Sequence, residues 1–248
     1  MNDTRLWRVD GYQAQLHSSN LACAIDVQQL QHGLQQLRLH GQMLSHFCLL
    51  KLSLPDLVDP IPDQAIDEVY VRGNDLIASY LPVSPSQYAP QVYWRAQTSG
   101  SCHGVEIMIS MQTDTLESRP LIQSSSVVAG NQVWCLEQST KSLVEMQVSD
   151  QTTVLSPTKS APLLLLRAEG ESFSYLEMAY PTDPFEFWVK QGNQNELELG
   201  FCLLQEHLEK GVIRRFRVAA WFVPRENDLE IATKLYRRLL LADPPLTT

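Results

Sequence analysis

Two short segments of the sequence combine arginine, aromatic and acidic residues. In the first, Arg72 and Asp75 flank a two-residue turn, and Trp94 and Arg95 follow on a neighbouring strand. An aromatic ring can stack on the apolar face of a sugar, and a guanidinium group can donate paired hydrogen bonds to hydroxyls or to a carboxylate. These residue types predict a site for a polyhydroxy ligand. The alternative is a surface salt bridge beside an aromatic residue that packs in the core.

The second segment joins a histidine, carboxylates and a basic strand. His207 lies close to Glu209, and a histidine beside carboxylates could act as general acid and base. On the strand that follows, Arg215, Arg217 and Trp221 share one face, which could recognise an acidic or polyhydroxy ligand. The alternative is that Glu209 lies at the end of a hairpin and the arginines pair with surface carboxylates.

Three further residues complete the candidate ligand-binding set. Glu177 lies on a predicted strand and shares its side with apolar residues, so it is either exposed at an opening of the sheet or buried and paired. Trp188 and Arg225 are selected by residue type and position on their strands. The predicted binding residues are Arg72, Asp75, Trp94, Arg95, Glu177, Trp188, Glu209 and Arg225.

Several well-known catalytic motifs are absent from the sequence. It contains no GxGxxG, no GxxxxGK[ST], no HExxH and no GxSxG. The six histidines and five cysteines show no metal-ligand spacing. We therefore predict no cofactor and no metal, and no catalytic residue is assigned.

Charge and composition exclude some classes of partner. The 248 residues include 28 acidic and 19 basic ones, and the net charge of −9 argues against a nucleic-acid-binding surface. No apolar run approaches the roughly 18–20 residues that cross a bilayer, so no membrane partner is predicted. Five dispersed cysteines and the lack of a secretory signal predict reduced thiols and a cytoplasmic location. The oligomeric state is not predicted.

Most of the chain alternates between apolar and polar residues, which is typical of half-buried strands. The alternation is clearest in residues 105–111, 185–190, 196–203 and 212–222. Strands at this density indicate an antiparallel all-β fold. Further strands are predicted at 6–16, 48–54, 68–72, 76–81, 91–97, 132–137, 143–148, 163–167 and 173–180.

Other segments depart from this alternation. Residues 27–39 are predicted as strands around a bend at Gly33, and residues 112–131, rich in Ser and Thr, as a long surface connection. A C-terminal helix is predicted to begin at Asn227 or Asp228 and to pack on the sheets. Because no linker separates two differently composed halves, we expect one domain over residues 1–248.

Residues 208–213, the strand after them, residues 224–228 and the closing helix resemble the end of galactose mutarotase-like, or aldose epimerase-like, domains. The resemblance implies a β-supersandwich of two large curved antiparallel sheets with a sugar-binding concave sheet. Active members of the family use a histidine and a late glutamate to move a proton between the ring oxygen and the anomeric hydroxyl. In this sequence His207 and Glu209 match that pair by residue type only.

Three hypotheses on function follow. The first is an all-β supersandwich with a C-terminal helix that binds a carbohydrate without catalysis. The second is an aldose-epimerase-like isomerase in which His207 and a carboxylate share proton transfer. The third is a structural or protein-interaction domain whose Ser/Thr-rich segment and polar sheet face contact a partner. A cleft that holds arginine, aromatic and carboxylate groups together would favour the first two.

Overall fold

A computed structural model describes residues 6–82, 88–193 and 195–242 as strands, loops and one α-helix. The strands in chain order are β1 (Trp7–Asp10), β2 (Gln13–His17), β3 (Leu21–Asp26), β4 (Gln35–Leu39), β5 (Gln42–Met43), β6 (Cys48–Ser53), β7 (Ile66–Arg72), β8 (Asp75–Tyr80), β9 (Gln91–Ser99), β10 (Cys102–Met111), β11 (Glu117–Ser118), β12 (Ile122–Ala129), β13 (Gln132–Glu137), β14 (Ser142–Met146), β15 (Thr153–Leu155), β16 (Ser160–Arg167), β17 (Phe173–Ala179), β18 (Glu186–Gln191), β19 (Glu196–Leu204), β20 (Leu208–Glu209) and β21 (Arg214–Pro224). The helix is α1 (Asp228–Leu241).

The strands form antiparallel sheets, as the alternation of apolar and polar residues predicted. The large sheet has nine strands in the order β14-β13-β16-β17-β21-β10-β9-β8-β7. The second sheet has the order β15-β18-β19-β12-β6, and the N-terminal sheet runs from β1 to β5 in sequence order. Strands β11 and β20 form a separate pair. The all-β fold with one C-terminal helix is confirmed.

The main core lies between one face of the large sheet and the inner faces of the two five-stranded sheets. Ile107 and Phe216 of the large sheet belong to the same buried cluster as Phe187 and Phe201 of the second sheet and Leu37 of the N-terminal sheet. Burying a side chain of this size contributes about 1.5–3 kcal/mol. Every second residue of a large-sheet strand faces this core, so the residues between them face the opposite side.

Helix α1 covers part of that opposite side. Leu235 and Leu239 of the helix pack in a second buried cluster with Leu176 and Trp221 of the large sheet. The helix start is fixed by Asp228, which accepts hydrogen bonds of 2.8 and 2.6 Å from Arg167 and one from the Ser174 hydroxyl. Burial acts to raise the pKa of Asp228, but the hydrogen bonds from Arg167 and Ser174 outweigh it and lower that pKa.

The expectation that residues 112–131 form a long surface connection is wrong for the second half of the segment. Strand β12 occupies residues 122–129 and lies between β19 and β6 in the second sheet. Ser124 and Ser126 are buried at core-facing positions, where an apolar residue would have revealed the alternation. The Ser/Thr-rich loop of the interaction hypothesis is thereby shortened to residues 112–121.

Residues 27–39 follow the prediction only in part. A single 3₁₀ turn at Leu30–His32 precedes Gly33, and the predicted strand after the bend is β4. Gly33 has φ of 59°, and a Cβ there would lie 2.4 Å from the Leu49 carbonyl oxygen. Only glycine satisfies both constraints without strain. Residues 82–90 contain three prolines and are predicted from the sequence as a loop, of which residues 83–87 lie outside the described residues.

Candidate functional site

The outer face of the large sheet carries three rows of side chains that run across neighbouring strands. Residues opposite one another in antiparallel strands share a face and lie close enough to interact. The rows are Arg72, Asp75, Arg95 and Glu106; Ile77, Tyr93, Met108 and Arg217; and Ser79, Gln91, Ser110 and Arg215. We call these twelve residues, with Tyr180 and Asp183 beside them, the polar face.

An ion pair anchors the first row. The Arg95 guanidinium donates to both carboxylate oxygens of Asp75, at 2.7 and 2.8 Å. Asp75 is buried, and its hydrogen bond raises the pKa of Arg95. Such a bidentate pair holds the planar guanidinium in one orientation. Arg95 therefore presents its remaining N–H groups at a fixed position on the polar face.

Glu106 extends this row beyond Arg95. Its carboxylate accepts a hydrogen bond of 3.2 Å from the Gln97 side chain. Burial raises the pKa of Glu106, and the positive charges of Arg217 and Arg95 oppose that rise. The carboxylate is half-buried among guanidinium groups, where it can accept hydrogen bonds.

A loop brings a third carboxylate to the polar face. Asp183, which follows β17 in the chain, accepts a hydrogen bond of 2.8 Å from the backbone N–H of Arg217. The guanidinium carbon of Arg217 lies 5.2 Å from the centre of the Tyr180 ring, within cation–π range. Burial raises the pKa of Asp183 to about 6, although the Arg217 N–H and the charges of Arg217 and Arg214 oppose the rise.

Two adjoining cavities open on the polar face. The smaller, of about 260 Å³, is lined by Tyr180, Asp183 and Arg217 among others. The larger, of about 700 Å³, is lined by Arg72, Tyr93 and further residues. Arg215 and Ile213 line both cavities. The ligand-accessible surface therefore combines arginines, tyrosine rings and two carboxylates, those of Asp67 and Asp183.

Two arginines of the larger cavity have no acidic partner among the described residues. Arg72 and Arg215 are exposed, and neither forms an ion pair with any residue that the structure describes. Their guanidinium groups are thus available to donate hydrogen bonds to a ligand. Arg95, in contrast, already has its carboxylate partner in Asp75.

The structure divides the eight residues that the sequence predicted as one binding set. Arg72, Asp75 and Arg95 lie together on the polar face, whereas the other five lie elsewhere. Trp94 faces the main core with no exposed surface, because its neighbour Arg95 faces the opposite side of the strand. Its indole Nε1 has no hydrogen-bond partner in the described structure.

Glu177 also faces the main core. It is fully buried and accepts a hydrogen bond from the Tyr175 hydroxyl, which lies 3.3 Å from the Ser126 hydroxyl. Its second oxygen, Oε1, has no partner among the described residues. Burial raises the pKa of Glu177 to about 7, although the hydrogen bonds of Ser126 and Tyr175 oppose the rise. This is the buried and paired alternative that the sequence left open.

The remaining predicted residues lie in three separate places. Trp188 is half-buried on the outer face of the second sheet. Glu209 is exposed on β20, opposite Glu117. Arg225 follows β21, where burial and the nearby Arg167 charge lower its pKa. His207 is exposed and lines neither cavity of the polar face.

Sequence reasoning missed several residues of the polar face. It noted Arg215 and Arg217 as a basic stripe but left them out of the set. The alternation placed Glu106 opposite the core-facing residues, yet only the register of β9 and β10 shows that it lies beside Arg95. No local signal identifies Asp183, because a loop brings it to Arg217. Among the described residues, no group of three or more His, Cys, Asp or Glu could hold a metal ion.

Solved structures of other proteins share this architecture. The chain superposes on the Slr1438 protein of Synechocystis sp. PCC 6803 with a TM-score of 0.60 and 9% identity, covering 90% of this chain and 97% of that one. A galactose mutarotase-like protein from Lactobacillus casei ATCC 334 gives a TM-score of 0.53 and 6% identity, with 85% and 99% covered. The fold is galactose mutarotase-like. The resemblance predicted from residues 208–228 is thereby confirmed.

The mutarotase-like fold also occurs within a longer enzyme. The alpha-N-acetylgalactosaminidase NagBb of Bifidobacterium bifidum, solved as a GalNAc complex, matches 94% of this chain over 39% of its own, with a TM-score of 0.55 and 9% identity. No protein-family model and no curated protein matches the sequence. At these identities the comparisons establish the fold.

Proposed function

We propose that this protein binds a carbohydrate, or a similar polyhydroxy ligand, on the polar face. The observation that carries the proposal is the larger cavity, in which Arg72 and Arg215, without an ion pair to any residue in the described ranges, lie beside Tyr93. Its volume of about 700 Å³ lies within the roughly 300–1,000 Å³ of small-molecule sites.

The chemistry of the polar face suits hydroxyl groups. Each hydroxyl of a sugar both donates and accepts a hydrogen bond, so a sugar site needs donors and acceptors side by side. Arg215 and Arg217 supply donors, and the carboxylates of Asp67 in the larger cavity and Asp183 in the smaller one supply acceptors. The Tyr93 and Tyr180 rings add apolar surface for the ring carbons. The mutarotase-like fold supports this assignment, since the solved Lactobacillus casei protein that shares it is described as galactose mutarotase-like.

The unpaired arginines also suit a carboxylate on the ligand. Charge-assisted hydrogen bonds between guanidinium and carboxylate groups are stronger than those between neutral groups. We therefore expect an acidic sugar to bind more tightly than a neutral sugar of the same size. Comparing galacturonic acid with galactose separates the contribution of the ligand carboxylate to affinity from that of the hydroxyl groups.

Isomerisation of an aldose is the second candidate function. It is favoured by Asp183, which borders the smaller cavity and whose pKa is raised to about 6. A carboxyl group with such a pKa can give and take a proton near neutrality. The earlier assignment of this role to His207 lacks support, because His207 does not line the cavity. Polarimetry with several aldoses tests the reaction, and Asp183→Asn should abolish it.

Calorimetric titration of a panel of neutral and acidic sugars tests binding on the polar face. Arg215→Gln should weaken binding roughly tenfold to a hundredfold, because a hydrogen bond to a charged group is worth about 1.5–3 kcal/mol. Arg38→Gln, at an exposed position of the N-terminal sheet, is the matched control and should leave affinity unchanged. Absence of binding by the whole panel would refute the proposal and favour the interaction hypothesis.

We also propose a cytoplasmic location. The five cysteines are free in the structure, and four of them are buried. Free thiols persist in reducing compartments. Titration of the denatured, unreduced protein should find nearly all five thiols, whereas two native disulfides would contradict this location. In the described chain no helix is long and apolar enough to span a membrane.

A further inference from the structure

We infer that the outer face of the second sheet carries a separate site for a neutral sugar chain, built around Trp188. This face lies on the far side of the second sheet from the main core, because Phe187 and Val189 on the same strand point into that core. A groove of about 420 Å³ crosses it. The groove shares no lining residue with the two cavities of the polar face.

The floor of the groove follows from the register of four strands. Lys51 of β6 lies opposite Ser125 of β12, Ser125 opposite Gly200 of β19, and Gly200 opposite Trp188 of β18. Ser125 has a small side chain, so the row is low there, whereas the space above Gly200 is filled by the Trp188 ring. The groove therefore lies between a lysine at one end and an indole at the other.

Gly200 allows the Trp188 indole to lie against the sheet. A Cβ at position 200 would lie 2.7 Å from Cζ2 and 2.8 Å from Cε2 of that ring, closer than real contacts allow. The indole thus occupies the space above the glycine backbone. A tryptophan in this position can pack on the glycine for stability, as cross-strand aromatic–glycine pairs do. That role alone does not account for the polar groove beside it.

The groups around the indole suit uncharged hydroxyls. Lys51 and Gln123 offer donors, and Glu198 and Asp59 offer carboxylate acceptors. Charges of both signs lie there: Glu198 is paired with Lys190 at 2.7 Å, and the Lys190 ammonium lies 5.7 Å from the centre of the Trp188 ring. The balance of charge gives no preference for an anion or a cation. An aromatic surface flanked by donors and acceptors favours a neutral polyhydroxy ligand.

The exposure of Trp188 provides a direct signal for this site. Trp188 is half-buried, whereas the other four tryptophans, Trp7, Trp94, Trp134 and Trp221, are buried. A sugar stacked on Trp188 should shift the protein's fluorescence and protect it from acrylamide quenching. The probes are maltohexaose, cellohexaose and an array of neutral oligosaccharides.

Variants on the two faces separate this site from the proposed function. Gln123→Ala and Lys51→Ala should weaken oligosaccharide binding up to roughly tenfold, as the loss of one hydrogen bond predicts. Trp188→Phe should abolish the fluorescence response while keeping a ring above Gly200. Lys159→Ala, an exposed lysine outside the groove, is the matched control, and Arg215→Gln should leave this binding unchanged.

Two results would overturn the inference. One is that no neutral oligosaccharide binds, even if acidic sugars bind the polar face. The other is that oligosaccharide binding is lost in Arg215→Gln but retained in Gln123→Ala and Lys51→Ala, which would place all sugar binding on the polar face. Conversely, binding that is weakened in Gln123→Ala and Lys51→Ala but not in Arg215→Gln supports the groove even if the polar face binds nothing.

Discussion

The two faces of the large sheet carry similar residues in different surroundings. On the core face, Trp94 and Glu177 are completely buried. On the polar face, the Arg95 guanidinium is paired with Asp75, and Glu106 lies near the charges of Arg217 and Arg95. Burial raises the pKa of both glutamates, so a raised pKa does not by itself identify a ligand site. Whether a residue can contact a ligand is decided by the side of the sheet on which it lies.

The largest expected effect is on the core face. Trp94→Ala should lower the free energy of unfolding by about 3–5 kcal/mol, because it empties a fully buried position. Urea unfolding followed by circular dichroism measures the change. Arg215→Ala on the polar face should stay within about 0.5 kcal/mol of the wild type. A Trp94→Ala protein of undiminished stability that no longer bound sugar would reverse our assignment of the two faces.

Glu177 should make stability depend on pH. Its pKa is about 7 in the folded protein and near 4.5 when unfolded. Between these two pH values the Glu177 carboxyl is ionised in the unfolded chain but still protonated in the folded protein. The free energy of unfolding therefore falls as pH rises from about 4.5 to 7, by on the order of 3 kcal/mol. Glu177→Gln should remove most of this loss, with little effect at pH 4. Urea unfolding across this pH range checks it, and equal slopes for the two proteins would contradict it.

A smaller effect is expected from the ion pair of the polar face. Arg95→Ala leaves the buried Asp75 without its bidentate partner and should cost about 1–2 kcal/mol, since the exposed part of Arg95 is screened by water. In a double-mutant cycle, Asp75→Asn should then add little. Additive effects of the two changes would show that the pair is not coupled. Arg95→Ala is therefore a poor test of sugar binding, because it also disturbs the sheet.

The alternation in the sequence predicts which side of a strand a residue occupies, but it does not predict which residues of the neighbouring strands lie beside it. Alternation placed Val105 and Glu106 on opposite sides, and the turn between Arg72 and Asp75 was recognised from its residues. The contact between Asp75 and Arg95 depends on the register of β8 and β9, which alternation does not determine.

Polar residues in the core account for the main error in the fold. Ser126 faces the core because its hydroxyl oxygen accepts a hydrogen bond of 2.9 Å from the Leu50 backbone N–H. A hydrogen bond to a residue distant in the sequence, which makes burial of the serine hydroxyl possible, cannot be predicted from a Ser-rich segment alone. The single-domain boundary over residues 1–248 stays a prediction.

The most direct test of the central claim observes the arginine side chains of the polar face during ligand binding. In ¹H–¹⁵N spectra, the Nε–Hε signals of Arg72, Arg215 and Arg217 should shift as the tightest-binding sugar of the calorimetric panel is added. Those of Arg8 and Arg38, on the N-terminal sheet, should not move. Shifts confined to arginines outside the polar face, with Arg72, Arg215 and Arg217 unchanged at saturation, would contradict our account of this protein.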